Sequence, residues 1–193
     1  MREIARGAEA VIFEDKETVI KQRFKKGYRI AELDDELRSQ RTKRESNLLR
    51  KIKIAHPKLI DHDDKENIVM EKIHGEKLRD VLDKRPELAR RAGEMVAELH
   101  NQHIIHGDLT TSNMILDEED NLVFIDFGLS FQSQKVEDKA VDIHLFKQAL
   151  NSKHHTVYER ALREFFTGYK KAEQHDQIIE RLKAVELRGR YKH

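Results

Sequence analysis

The chain has no cysteine, no tryptophan, only two prolines and eight glycines among its 193 residues. Without thiols it can build neither a disulfide framework nor a thiolate metal site, which excludes zinc ribbons and the small cross-linked secreted folds. No run of 18 or more uncharged apolar residues occurs, so a membrane-spanning helix is excluded as well. The opening Met1-Arg2-Glu3-Ile4-Ala5-Arg6-Gly7 lacks the apolar core of a secretory signal. These absences lead to the expectation of a cytoplasmic chain that does not meet a membrane. What is present is charge: 38% of residues are Asp, Glu, Lys or Arg, matching the 38% that are hydrophobic. The length suits one ordinary domain or two small lobes sharing a cleft.

The net charge of +1 hides a patterned distribution. Residues 1–53 carry 15 lysines and arginines against 10 acids, residues 54–139 carry 11 against 19, and residues 140–193 carry 11 against 7. Basic ends around an acidic middle are unlike a uniformly polyanion-binding surface and closer to a divalent-cation site flanked by anion-contacting segments. Solvated helix faces would give the same totals, so motifs must decide.

Ala10-Val11-Ile12-Phe13 and Thr18-Val19-Ile20-Lys21-Gln22 read as strands around a polar turn. From Leu33 to Ile54 sparse apolar residues among charges predict one or two largely exposed helices, broken by His56-Pro57. Leu59-Ile60 and Ile68-Val69-Met70 are two further strands. After Pro86-Glu87, residues Leu88, Ala92, Met95, Val96 and Leu99 share one apolar helical face. Met114-Ile115-Leu116 and Leu122-Val123-Phe124-Ile125 flank an acidic turn as a hairpin, and helical patterns follow at 140–150, 157–172 and 178–185. The expectation is an α+β chain: a β-rich N-terminal lobe over 1–70, a connection over 71–75 eased by Gly75, a mostly helical C-terminal lobe over 76–187, and a basic tail over 188–193.

The densest signal is His106-Gly107-Asp108-Leu109-Thr110-Thr111-Ser112-Asn113, with Asp126-Phe127-Gly128 beginning thirteen residues after Asn113. Asp108 falls in a loop between a helix and a hairpin, where it can accept a proton from a hydroxyl. Asn113 and Asp126 bracket the hairpin, so its folding brings their oxygens together. An amide carbonyl beside a carboxylate suits Mg²⁺ holding phosphates. These residues resemble the catalytic loop and metal-binding segment of the protein-kinase-like superfamily. That resemblance implies a bilobal protein-kinase-like fold with ATP wedged between the lobes. It further implies that Lys21 contacts the α- and β-phosphates with Glu45 as its ion-pair partner. Met70, Glu71 and Ile73 would lie along the adenine edge, and Gly7, Ala8, Glu9 and Ala10 would form the phosphate loop.

Departures narrow the family. The phosphate loop holds one glycine and an acid, Glu9; Thr110 stands where serine/threonine kinases usually place a lysine; and 65 residues after Gly128, with no Ala-Pro-Glu motif, leave little room for a peptide-binding subdomain. Gly7-Ala8-Glu9-Ala10, Val19-Ile20-Lys21-Gln22-Arg23 with Lys26 and Tyr28-Arg29, Leu33-Asp34, Leu37-Arg38, Arg41-Thr42, Glu45, the 106–113 loop, Ile125-Asp126-Phe127-Gly128-Leu129-Ser130 and the Arg188-Gly189-Arg190-Tyr191-Lys192 tail together resemble one family. It is that of the small atypical kinase subunits of the KEOPS (EKC) complex, the p53-related protein kinase family, in its archaeal form. The resemblance covers essentially the whole chain. It implies an ATP- and Mg²⁺-dependent serine/threonine kinase or ATPase that autophosphorylates. Such a subunit supports threonylcarbamoyladenosine modification of tRNA by a partner threonylcarbamoyl-transferase subunit, among the other KEOPS subunits. The chain would be the separate form or a domain excised from a fusion. Two other readings stay open, a free-standing RIO-like or small-molecule kinase and a pseudokinase scaffold.

Smaller features carry weaker expectations. The basic segments 21–26 and 41–44 and the tail are candidate tRNA contacts, though solvated faces explain the helix arginines equally well. His100, His103 and His106 at three-residue spacing fit core and loop positions better than a metal site. Asp142 is either an anchor of the catalytic-loop backbone or an ordinary carboxylate near a helix start. Ser130 and Ser133 are candidate autophosphorylation sites.

Overall fold

A computed structural model of the chain describes residues 1–190, with Tyr191 and Lys192 of the basic tail outside the described residues. The chain divides into two compact units, one of residues 1–52 and 56–73, the other of residues 53–55 and 74 onward. The α+β class expected from the sequence is found, strands dominating the first unit and helices the second.

The first unit is an antiparallel sheet with one helix. Strands β1 (Arg2–Arg6), β2 (Ala10–Glu14), β3 (Thr18–Arg23), β4 (Leu59–His62) and β5 (Asn67–Glu71) lie in the order β1-β2-β3-β5-β4. Four of these match the β-rich runs of the sequence. β1 leaves no strand signal in the sequence, because Ile4 is its single β-branched residue, three of its five residues are charged and all are exposed. It is an edge strand tied by pairing to β2 and by the Arg2 guanidinium on Glu14, 2.9 Å from Nε. Register places Lys21 of β3 between Ile12 and Ile68, in the middle of the sheet.

Helix α1 (Ala31–Leu49) is single and continuous. Its inward face carries Asp34, Thr42, Glu45 and Ser46 beside Leu48 and Leu49, all buried. A helix normally buries an apolar stripe. This one buries hydroxyls and carboxylates, which is why the apolar pattern made it look exposed.

The second unit opens with β6 (Gly75–Lys77), α2 (Leu78–Val81) and α3 (Leu88–Asn101), then β7 (Ile104–Ile105) and a 3₁₀ turn, Thr111–Asn113. The expected hairpin follows as β8 (Met114–Asp117) and β9 (Leu122–Phe124), with β6 added to give the order β6-β8-β9. β10 (Phe131–Gln132) pairs with β7, and helices α4 (Val136–Lys153), α5 (Tyr158–Tyr169) and α6 (His175–Arg190) complete the unit. The core is apolar: Leu88, Val96, Leu99, Phe124, Phe146, Phe165 and Ile178 are fully enclosed, each large side chain contributing roughly 1.5–3 kcal/mol of burial. Phe146 stacks on Phe165 at 4.5 Å between ring centres. α3 and α5 touch backbone to backbone at Gly93 and Gly168, where a Cβ would stand 2.0 Å from the Phe165 and Arg90 carbonyl oxygens respectively. α6 runs through Arg188 to Arg190, so the first three residues assigned to the tail are helical. Among the described residues no helix is long and apolar enough to cross a membrane.

Candidate active site

In the first unit Lys21 and Glu45 form a buried ion pair, Nζ to Oε1 2.7 Å. β3 presents the lysine and the inner face of α1 presents the glutamate. Arg23, two residues along the same strand and so on the same face, grips the other carboxylate oxygen. The sequence analysis places Arg23 in the family motif and in the basic segment 21–26 but not beside Glu45, although period-two spacing from Lys21 is the signal for that pairing. Because Lys21 and Arg23 are buried, neither is an exposed phosphate contact, which removes them from the basic segment 21–26 as a tRNA-facing surface.

The Gly7–Ala10 loop is a tight turn, Gly7 N donating to the Ala10 carbonyl at 2.9 Å. It is held by cations rather than by glycines. The Lys26 ammonium donates to the Ala8 carbonyl, and Glu9 pairs with Arg29 at 3.2 Å and Arg41 at 2.7 Å. Partial burial pushes the Glu9 carboxyl up, but the hydrogen bond from Arg29 and the charge of Arg41 outweigh it and hold the group below its ordinary value. Arg41 thus pairs with the loop acid while its side chain stays partly exposed. Met70 and Glu71 close β5, and Ile73 ends the first unit; Glu71 N donates to the Lys58 carbonyl at 2.9 Å.

In the second unit the residues of the 106–113 loop converge. The Asn113 amide nitrogen donates to both the Asp108 carbonyl, 2.9 Å, and its carboxylate, 2.8 Å. With that nitrogen engaged, the Asn113 side-chain oxygen is the atom left to meet a cation. The Ile125 amide donates to the Asn113 carbonyl at 2.9 Å, which sets Ile125 opposite Asn113 with Asp126 the next residue along. Asp126 itself adopts φ of 61°, a left-handed conformation uncommon outside glycine and concentrated at functional sites. An amide oxygen and a carboxylate are hard donors of the kind Mg²⁺ takes, so the residues fit that ion.

The loop backbone hangs from Asp142 in α4. This buried carboxylate accepts from His106 N at 2.8 Å, Gly107 N at 2.9 Å and His100 Nε2 at 3.2 Å. Burial alone would push its pKa up, but the hydrogen bond and charge of His100, with the His106 contacts, hold it below its usual value. Of the two sequence readings for Asp142, the anchor is the one observed. Gly107 has φ of 79°, and a Cβ there would lie 2.5 Å from the Leu129 carbonyl, so only glycine fits.

His106 donates from Nε2 to the Ile125 carbonyl, 3.3 Å, and accepts at Nδ1 from Asp108 N, 3.3 Å, the pattern of a neutral ring. Burial lowers its pKa in agreement. His100 bonds the Tyr169 hydroxyl at 2.7 Å, whose pKa burial raises. His100 and His106 thus serve core and loop, His103 is a half-buried residue with φ of 58°, and no cluster of three or more metal-binding side chains occurs among the described residues. Ser130 is buried with its hydroxyl donating to the His106 carbonyl at 2.6 Å, which withdraws it as an accessible phosphoacceptor in this conformation. Ser133 is half-buried, donating to Asp138 at the start of α4 at 2.6 Å. Arg188 of the expected tail pairs with Glu137 at 2.9 Å.

Comparison with known proteins bears on this arrangement. The RIO-domain family profile matches residues 9–144. A Pyrococcus abyssi protein named KEOPS complex subunit Bud32 is 40% identical, across all of this chain and 97% of its own. An Archaeoglobus fulgidus protein named a probable serine/threonine-protein kinase BUD32 homolog is 40% identical across 96% of this chain and 94% of its own. A Methanobrevibacter smithii protein named a probable bifunctional tRNA threonylcarbamoyladenosine biosynthesis protein is 42% identical across 98% of this chain, which spans only 37% of that longer protein.

Proposed function

Because the chain belongs to the RIO-domain family, and within it to the Bud32 proteins, we propose that it transfers or hydrolyses the γ-phosphoryl of ATP as the atypical kinase/ATPase subunit of a KEOPS complex. The observation that carries this reading is the Asp108–Asn113 contact next to Asp126. Asp108 takes the proton of the attacking hydroxyl or water. Its carboxylate is oriented by the Asn113 amide, which engages one oxygen and leaves the other to accept the proton. Lys21, steadied by Glu45 and Arg23, binds the α- and β-phosphates. The Gly7–Ala10 loop lies along the phosphates, with Glu9 fixed by its arginines, and the backbone at Glu71 and Ile73, near Met70, reads the adenine edge.

Asn113 and Asp126 would hold Mg²⁺, which supplies neutralisation of the phosphate charge when bound. Positioning and charge account for nearly all of the catalysis, since a loose phosphoryl-transfer transition state asks for little covalent chemistry. Thr110, in the place of a neutralising lysine, makes the isolated chain slow, and a partner completes the site.

That partner is the threonylcarbamoyl-transferase subunit, in the cytoplasm, in support of tRNA modification. The name of the bifunctional Methanobrevibacter protein, which joins a segment like this one to further sequence, supports the pairing. Lys25 and Lys43, both exposed, and the residues of the C-terminal tail are those offered to tRNA phosphates. The test is ATP turnover by Asp108→Ala and Asp126→Ala chains, each with and without the transferase subunit. Both variants lose turnover in both settings, and the unaltered chain gains turnover on adding the partner. Equal rates with and without the partner would sink the subunit reading, and retained turnover in Asp108→Ala would sink the catalytic one.

A further inference from the structure

His154 caps the C-terminal end of α4 and is enclosed, 1% exposed. Its Nδ1 lies 2.7 Å from a carboxylate oxygen of Asp83, just past α2, and its Nε2 lies 3.1 Å from the hydroxyl of Thr111. A carboxylate only accepts, so Nδ1 carries the proton; in the neutral ring Nε2 is then the acceptor and the Thr111 hydroxyl the donor. Acid, imidazole and hydroxyl in line is the arrangement that activates a nucleophile. Here the threonine is itself 1% exposed, so no substrate atom can reach its hydroxyl. The relay holds something in place instead.

What it holds is the 3₁₀ turn. Thr111 is the turn's first residue and Asn113 its third. The turn is short, and its other ties lie on Asn113: a backbone bond back to Thr110 at 3.1 Å, the Ile125 bond, and the amide bonds to Asp108. A buried threonine locked in one rotamer by a partner that is itself locked fixes the rotation of the whole turn, and with it the direction of the Asn113 amide. We propose that His154, oriented by Asp83, is a positioning residue for phosphoryl transfer: through Thr111 it aims Asn113 at both Asp108 and the cation. The proposal rests on the reading of Asp108 and Asn113 given above.

The two arms of the imidazole can be cut separately. His154→Gln carries an amide oxygen that can take the acceptor's place near Nε2 and keeps the arm to Thr111, while His154→Asn places an amide nitrogen near Nδ1 and keeps only the arm to Asp83. With Mg²⁺·ATP and the full chain in its KEOPS assembly, His154→Asn and Thr111→Val lower kcat by about 10- to 100-fold, the range for residues that orient ligating groups. KM for ATP stays nearly unchanged, and the Mg²⁺ midpoint for binding with ADP, read by calorimetry, rises. His154→Gln and Thr111→Ser recover most of kcat, and His155→Ala, at the exposed neighbour, leaves it unchanged. In the nucleotide-free chain, imidazole nitrogen spectra show a protonated Nδ1 and an accepting Nε2 for His154, and Thr111→Val shifts the Nε2 signal.

Equal losses in the Gln and Asn variants that track their melting temperatures, or wild-type kcat in Thr111→Val, would overturn the proposal and leave His154 a plain helix cap. Should His154→Asn not fold, Thr111→Val and the surface change Asp83→Asn carry the same comparison. Asp108→Ala is assayed alongside. Its inactivity beside fully active relay variants defeats only the relay, whereas its retained turnover removes the catalytic reading and the relay together.

Discussion

In the first unit the functional lysine is fixed by charge: Glu45 holds Lys21 and Arg23 from a helix whose buried face is mostly polar. In the second unit the functional loop is fixed by neutral packing and by backbone hydrogen bonds to one acid, Asp142, inside an apolar core. Both devices place a reactive group accurately, but they fail differently. A buried ion pair owes little of its stability to its own existence, because desolvating two ions offsets most of their attraction. A buried acceptor that satisfies three donors is structural as well as functional, since its loss strands every donor at once. The first unit can therefore lose its lysine grip and keep its fold, whereas the second cannot lose its anchor and keep its loop.

The sharpest way to break that comparison is Asp142→Ala. It leaves His106 N, Gly107 N and His100 Nε2 unpaired in a dry interior and should cost about 3–5 kcal/mol by urea unfolding. Acid reaches the same network without mutation. Unfolded, His106 takes up a proton near its ordinary 6.5; folded, burial lowers its pKa, so it takes up the proton only at a lower pH. Below pH 6.5 the unfolded chain thus binds more protons, and stability drops as pH falls, by up to about 1.4 kcal/mol per pH unit. Asp142, also lowered in the fold, adds a second loss as pH falls below its ordinary 3.8. His106→Gln should flatten the first of these slopes; an unchanged slope would place the proton uptake elsewhere.

On the other side of the comparison, Glu45→Gln leaves Lys21 and Arg23 without their counter-charge and should cost about 3 kcal/mol. The combined change Lys21→Met, Arg23→Met, Glu45→Leu should leave urea stability equal or higher by about 1–4 kcal/mol, as apolar replacements of buried ion networks often do. ATP turnover is lost in both. If the triple variant unfolds instead, charge is structural in the first unit too and the contrast dissolves.

How far each unit could be read in advance follows the same division. The second unit's elements follow from apolar periodicity: Leu88 to Leu99 marked α3 and the runs at 114–116 and 122–125 marked the hairpin, because burial there is hydrophobic and local in sequence. In the first unit α1 was visible as a helix but its buried face was not, since Asp34, Thr42, Glu45 and Ser46 read as solvent-facing by composition. Motif order and family resemblance, more than pattern, singled out Lys21, Glu45, Asp108, Asn113 and Asp126. Among the ties that orient the site, the Lys21–Glu45 pair follows from the resemblance and the Asp142 anchor is one of two sequence readings, whereas the rest were out of reach. Arg29 and Arg41 meet Glu9 from 20 and 32 positions away, and His154 meets Thr111 from 43, and no local rule links residues so distant. β7 and β10, two residues each, are too short to leave a periodic trace.

Two glycines give the smallest and cleanest contrast. At Gly168 a Cβ would sit 2.0 Å from the Arg90 carbonyl, backbone against backbone, where nothing flexible can yield. Gly168→Ala must spread α3 from α5 and should cost about 2 kcal/mol, in the range of core overpacking. Gly27, in the charged first unit, has nothing within 4 Å of the same added carbon and no left-handed φ. Gly27→Ala should change stability by less than about 0.5 kcal/mol, or raise it by up to ~1 through a less flexible unfolded chain. Chemical denaturation of the two variants side by side measures the difference. A close-packed interior makes one added methyl a test of fit, whereas in the open loop before α1 the same methyl meets only solvent, and any cost it showed there would mean that the loop is gripped by contacts the first unit's ion pairs do not account for.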